Sequence, residues 1–142
     1  MGHTHYWQRP PQLPAPAFGR AVVDCRRVLP ETNTPLAGAN GTKKPFFRSD
    51  TIVFNGVGEN AHETFAVRLE EADHGDGRPA FSFCKTEHKP YDLAVQVVLI
   101  VFQHHLGKQF GVSSDGDDAE WETARRWCQQ VLGYGEDFQL DS

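Results

Sequence analysis

Residues 80–116 read AFSFCKTEHKPYDLAVQVVLIVFQHHLGKQFGVSSDG, and the fold turns on this stretch. From Ala80 to Lys85, Phe81 and Phe83 alternate with small residues, the period of a strand. Tyr91 to Leu106 is ambiguous by composition, since its Val and Ile suit a strand while its length suits a helix. Its polar residues decide: Asp92, Gln96 and Gln103 are spaced by four and seven and make one narrow stripe on an otherwise apolar helix. Pro90 suits the first helical position, and Gly107 ends the run. Phe110 to Ser113 is then a second short strand. Strand, helix and strand form a crossover, so two such strands sharing a sheet run parallel, with their carboxyl ends on one edge and a helix start after each.

Upstream, His3 to Gln8 alternates as a strand, with His3, His5 and Trp7 on one face and Thr4, Tyr6 and Gln8 on the other. Pro10 and Pro11 end it. Phe18, Ala21, Val22, Cys25, Val28 and Leu29 give Pro16 to Leu29 the spacing of an amphipathic helix that Pro30 stops. Residues 30–49 form a polar loop of about 20 residues, longer than an idle connection. Thr51 to Phe54, His62 to Leu69 and Ala80 to Lys85, joined by polar turns, predict an antiparallel meander. Asp117 with Glu120 three residues on reads as a capping box opening a helix with Trp121, Ala124, Cys128 and Val131 on its apolar face and Gly133 at its end. Phe138 and Leu140 suggest a terminal edge strand. The order is β-α-β-β-β-α-β-α across 1–142: a single α+β domain with helices packed on a mixed sheet.

The chain of 142 residues and 15.9 kDa has room for one core, and 39% hydrophobic residues is ordinary for a globular protein. The longest apolar stretch, Leu93 to Phe102, is about half of the roughly 20 residues a membrane-spanning helix needs. No charged segment precedes an apolar one as in a secretory signal, and Tyr6 stands where N-myristoylation requires Ser or Thr. Cys25, Cys84 and Cys128 are odd in number and far apart, which predicts buried free thiols in a reducing cytoplasm. The net charge of −5 is unevenly placed: residues 1–48 hold seven Lys and Arg against Asp24 and Glu31, a net +5, leaving −10 on the rest. The split permits a local anion site near the N-terminal segment but argues against duplex nucleic acid.

The crossover collects Lys85, Thr86 and Lys89 from one loop and Ser113 and Ser114 from the other, each before a helix start, where free N–H groups favour a phosphate or carboxylate. Gly41 and Thr42, in the run Gly38 to Lys44, add a glycine loop whose order is not that of a P-loop, and His5 and Trp7 are candidate walls of the same ligand site. His3 and His5, two apart on a strand, have the spacing of a metal-chelating pair, with Asp92 or Asp115, after His62 and His88, as candidates to complete a zinc or manganese site. His62-Glu63-Thr64 matches an HxT element of the two-histidine phosphoesterases, but His3-Thr4-His5 is no second copy. No GxSxG, HExxH or CxxC occurs, and the acidic run Asp115 to Glu120 lacks calcium-loop spacing.

MGHTHYW at the start, Leu36-Ala37-Gly38 with Gly41-Thr42, Phe54-Asn55-Gly56, His62-Glu63-Thr64-Phe65, Phe83-Cys84-Lys85-Thr86 with Lys89-Pro90-Tyr91-Asp92, and Val112-Ser113-Ser114-Asp115-Gly116 make the chain resemble the small MGxTHYW proteins of tailed bacteriophages and some bacteria. The resemblance spans nearly the whole chain. It implies a phage-type accessory role in the cytoplasm of a bacterial host, without an activity. The leading expectation is a binder, rather than an enzyme, of a small anionic, nucleotide-like ligand, needing no cofactor and sequestering a host defence signal. The alternatives are a metal-dependent phosphoester hydrolase on His3, His5 and Asp92 or Asp115, and an interaction module using Tyr6, Trp7 and Tyr134 on a host protein or a second copy of the chain.

Overall fold

The computed structural model describes residues 3–71 and 80–141. Nine regular elements follow in order: β1 (Thr4–Arg9), α1 (Ala15–Val28), β2 (Phe46–Arg48), β3 (Thr51–Phe54), β4 (Phe65–Arg68), β5 (Ala80–Lys85), α2 (Asp92–Leu106), β6 (Gly111–Ser114) and α3 (Glu122–Leu132). The domain is α+β. Helix α2 lies at its centre: Val95 and Val97 through Phe102 are at most 1% exposed, as its nearly unbroken apolar run requires. Each such side chain contributes about 1.5–3 kcal/mol by leaving water. Helices α1 and α3 pack on α2 and on each other, Phe18 of α1 meeting Phe102 edge-to-face at 5.0 Å. No helix among the described residues is long and apolar enough to cross a membrane.

The strands divide into two antiparallel sheets of three, ordered β5-β1-β6 and β2-β3-β4, in place of one mixed sheet. The meander is real, but it comprises β2, β3 and β4, and β5 leaves it to pair with β1. Local patterning pairs a strand with its sequence neighbour; here the buried face of β1 recruits partners from more than 70 residues away. His5 stands between Cys84 and Ser114, and Trp7 between Ser82 and Val112. Both neighbours run antiparallel to β1 and hence parallel to each other, so β1 is inserted into the β5-α2-β6 crossover. The carboxyl ends of β5 and β6 therefore flank the start of β1. This places the candidate site.

Trp7 is 2% exposed and packs on Phe65 at 5.1 Å, joining the two sheets. Asp117 Oδ1 accepts from Glu120 N–H as a cap, opening a short 3-10 turn (Asp118–Trp121) ahead of α3, and Gly133 closes α3 with a left-handed φ of 83°. No terminal strand forms among the described residues: Phe138 stacks on Trp121 at 5.2 Å, and the C-terminal segment reaches β6 through the backbone hydrogen bond from Asp141 N–H to Val112 C=O at 2.8 Å. All three cysteines are free and buried, and burial pushes the thiols of Cys84 and Cys128 up to about 12.

Candidate metal centre

His5 is the hub of a buried polar network. Its side chain is fully enclosed by β5, β6, α2 and Trp121, whose ring meets it edge-on at 4.9 Å. Nε2 lies 2.6 Å from Asp92 Oδ1, and Nδ1 lies 2.8 Å from Ser114 Oγ. Asp92, the first residue of α2, also accepts from Thr86 Oγ1 at Oδ1 and from Gln96 Nε2, one turn on, at 3.0 Å on Oδ2. Burial alone raises a carboxylate pKa, but the hydrogen bonds that His5 and Thr86 donate to it outweigh burial and hold Asp92 below its ordinary range. An ionised carboxylate only accepts, so His5 carries its proton on Nε2 and Ser114 O–H donates to Nδ1. Ser114 Oγ in turn accepts from Gly116 N–H at 3.0 Å.

His3 differs. Its side chain is 5% exposed, yet Nε2 is buried with no hydrogen-bond partner, 4.0 Å from Asp92 Oδ1 and 3.9 Å from Glu120 Oε2. An orphaned buried polar atom costs about 1–3 kcal/mol. Burial, then the neighbouring His5, keeps the imidazole pKa low, so His3 stands neutral with a lone pair to offer. His3 C=O accepts from Thr86 N–H and Glu87 N–H, folding the 86–88 turn over the ring, and His88 stacks on His3 at 3.7 Å and 25°. The turn is strained: Glu87 and His88 take φ of 51° and 60°. Gly116 passes so close that a Cβ there would lie 2.9 Å from His3 Cε1 and 2.2 Å from Glu120 Oε2.

Among the described residues, two sets of potential ligand atoms lie within 4.8 Å of one another: His3, His5 and Asp92, and His3, His88 and Glu120. Ring lone pairs lie in the ring plane, so the nearly parallel His3 and His88 cannot converge on one ion, whereas His3 and His5 stand at 89°. The inner set is therefore the one that could share an ion, with Glu120 as an outer oxygen and His88 as a cover. Two imidazoles and a carboxylate suit zinc, manganese or iron.

Of the residues expected to bind an anion, His5, Thr86 and Ser114 do meet, but around a carboxylate. Asp92 and Glu120 bring carboxylates to this edge, and the half-buried Lys85 places its Nζ 3.7 Å from Glu87, which His62 also approaches at 3.7 Å. Lys89 contributes its N–H to Thr86 C=O in the turn before α2. Ser113 sits opposite Tyr6 in the register, on the other face of the sheet from His5 and Ser114. Asp115 belongs to that outer face too: Oδ2 accepts from Thr4 N–H and Oδ1 from Tyr6 OH, both at 3.1 Å, which removes it as a ligand beside His3 and His5. Trp7 is core and walls no site. The amides of Gly41 and Thr42 donate within their own loop, to Gly38 and Ala39 carbonyls, so they present no cradle. Tyr134 is likewise held inward, its OH 2.6 Å from Asp24, and the exposed aromatics among the described residues are Phe46, Phe81 and Phe83, with Tyr6 stacked on Phe81. Glu120 is the residue the sequence hid: its capping-box spacing is real, but its carboxylate turns to His3.

The network makes stability pH-dependent. The folded chain holds His3 below its ordinary 6.5, so in mild acid the unfolded chain binds more protons and stability falls as pH drops below 6.5. Asp92, held below 3.8, keeps its contribution until stronger acid. His104, also lowered by burial, acts in the same direction from the far side of the domain. Urea unfolding with chelator present at pH 7.5 and 5.5 is expected to show the loss, and His3→Gln to flatten it by removing one of two contributors; an unchanged slope in His3→Gln contradicts this origin.

Comparison with protein families, characterised proteins and solved structures gives no match, so the site is read from its own geometry.

Proposed function

We propose that this chain is a divalent-metal protein that uses the ion bound by His3, His5 and Asp92 to hydrolyse a small phosphoester. The observation that supports this reading best is the orphaned Nε2 of His3, enclosed, neutral and facing two carboxylates: a bound cation supplies the partner that the protein lacks. It departs from the expected anion binder because carboxylates line the edge; a metal ion is what draws a phosphate there.

Binding requires His5 to release its Nε2 proton. Nδ1 then carries the hydrogen and donates to Ser114 Oγ, the usual orientation for a ligating imidazole whose second nitrogen is anchored. The ring's single hydrogen moves from Nε2 to Nδ1, so this switch liberates no proton, and binding weakens only where acid protonates the ligands. A bound ion would supply a water that ionises near neutrality. Glu120 would accept that water's proton, and His88 would protonate the leaving oxygen as its bond to phosphorus breaks. In the phage setting that the resemblance implies, a small phosphorylated signal of the host is the corresponding substrate.

Elemental analysis after zinc- and manganese-supplemented growth, followed by hydrolysis assays with bis-p-nitrophenyl phosphate and cyclic nucleotides, tests the reading. About one ion per chain is expected, with turnover lost in Glu120→Gln. Gly116→Ala pushes Glu120 and His3 aside and is expected to weaken binding at least about tenfold, the scale of effects behind the ligands. Wild-type protein without stoichiometric metal defeats the proposal. Metal without turnover defeats its hydrolytic half and leaves ligand capture.

A further inference from the structure

None of the Lys and Arg of residues 1–48 serves this centre, and one of them, Arg26, lines a different feature. A groove of about 290 Å³ opens between the end of α1, the turn after it and β2. Cys25 and Leu29, 0% and 5% exposed, form its floor, and Leu36 and Phe47 its sides. Phe47 is fixed by stacking on Phe54 at 5.9 Å, so the wall is preformed. Two polar side chains reach it. Thr34 Oγ1 already accepts from Thr32, at 3.0 Å, and Arg26 stands exposed in the last turn of α1 with no ion pair among the described residues. The nearby Arg48 is committed, its guanidinium 4.8 Å over the Phe46 ring.

We infer that this groove binds a small carboxylate with a linear apolar body, the chain lying on Leu29, Leu36 and Phe47 and the carboxylate pairing with Arg26. Charge complementarity selects the occupant. Arg26 is the one charged side chain among the residues lining the groove, so a carboxylate finds a partner there that a neutral or cationic amphiphile does not. The groove volume is at the small end of ligand sites, which suits a body of about six to eight carbons. A guanidinium fork matches a carboxylate bidentately.

Calorimetry or NMR titration with acetate, butyrate, hexanoate and octanoate, below micellar concentrations, reads this directly. Affinity is expected to rise about fourfold per methylene until the groove is filled. Octanol and octylammonium are expected to bind at least about tenfold more weakly than octanoate, the scale of a charge-assisted hydrogen bond. Arg26→Gln, an exposed change that leaves the core intact, removes that preference, and Leu36→Trp fills the groove and abolishes binding. Equal binding of acetate and octanoate, or of octanol and octanoate, overturns the inference, as does octanoate binding unchanged in both variants. His3→Gln keeps wild-type octanoate affinity, so failure here and failure of the metal centre are separate results.

Discussion

Asp92→Ala is expected to destabilise the protein by roughly 3–5 kcal/mol and to abolish stoichiometric metal binding. The side chain is 14% exposed and serves three elements at once: it accepts from His5 of β1, from Thr86 in the turn after β5, and from Gln96 of its own helix. Deleting it leaves three donors in a space that no water easily reaches, each losing a partner that cannot be replaced from nearby. Asp92→Asn separates structure from charge. Its carbonyl oxygen still accepts from His5 and Thr86, and Gln96 need only flip its amide to accept from the new NH₂, so stability falls by about 1–2 kcal/mol. Metal affinity still collapses, because the neutral amide is a poor ligand for a divalent ion. Urea denaturation with elemental analysis of all three proteins checks both halves. An alanine variant within 1 kcal/mol of wild type would show that the His5 network is incidental to the fold.

The same residue shows where sequence reading succeeded and where it stopped. The stripe of Asp92, Gln96 and Gln103 identified α2 as a helix, because a 3.6-residue period is a local property. The crossover then correctly implied parallel β5 and β6 and a shared carboxyl edge. What the sequence could not show was that β1 would be inserted between them, since strand pairing over more than 70 residues leaves no local trace. That insertion turned an expected anion edge into a carboxylate-lined centre: it brought His3 and His5, read correctly as a same-face pair, against Asp92. Asp115 lies one residue beyond Ser114 and therefore on the opposite face, a distinction that depends on register alone. Trp7 shared the face of His3 and His5 but sits further along β1, where that face meets the second sheet and is core. Glu120 was legible as a cap partner, and its reach to His3 depends on the absence of a side chain at Gly116, which no spacing rule encodes.

The other large effect is expected far from the centre, at the opposite end of β1. Arg9 is completely buried, and its guanidinium donates from Nε to Pro10 C=O at 3.1 Å, from one terminal nitrogen to Arg68 C=O, and from the other to Leu69 and Pro11 carbonyls at 3.0 and 3.2 Å. Glu71 stands 3.9 Å away as a partial counter-charge. One side chain thus fastens the end of β1 in the first sheet to the end of β4 in the second. Replacing a buried ion pair with apolar residues is often neutral, because both partners leave together. That escape is closed here: the acceptors are main-chain carbonyls, and no substitution removes them. Arg9→Met keeps the volume but takes a donor from four carbonyls; Leu69 C=O keeps Leu13 N–H and Pro11 C=O keeps Glu71 N–H, while Pro10 and Arg68 lose their side-chain donor, so it is expected to cost about 2–4 kcal/mol and to lower Tm by about 6–12 °C. Arg9→Lys retains the charge but lacks the planar fork needed to reach both strands, and falls between the two. The metal centre, held by the other end of β1 together with α2, is expected to keep its affinity in Arg9→Lys at temperatures where that variant is folded. Thermal unfolding of the three proteins decides the matter. If Arg9→Met melts within about 2 °C of wild type, the carbonyls have found other donors and the two sheets are held together by their remaining contacts, such as Trp7 on Phe65 and Leu13 N–H to Leu69 C=O.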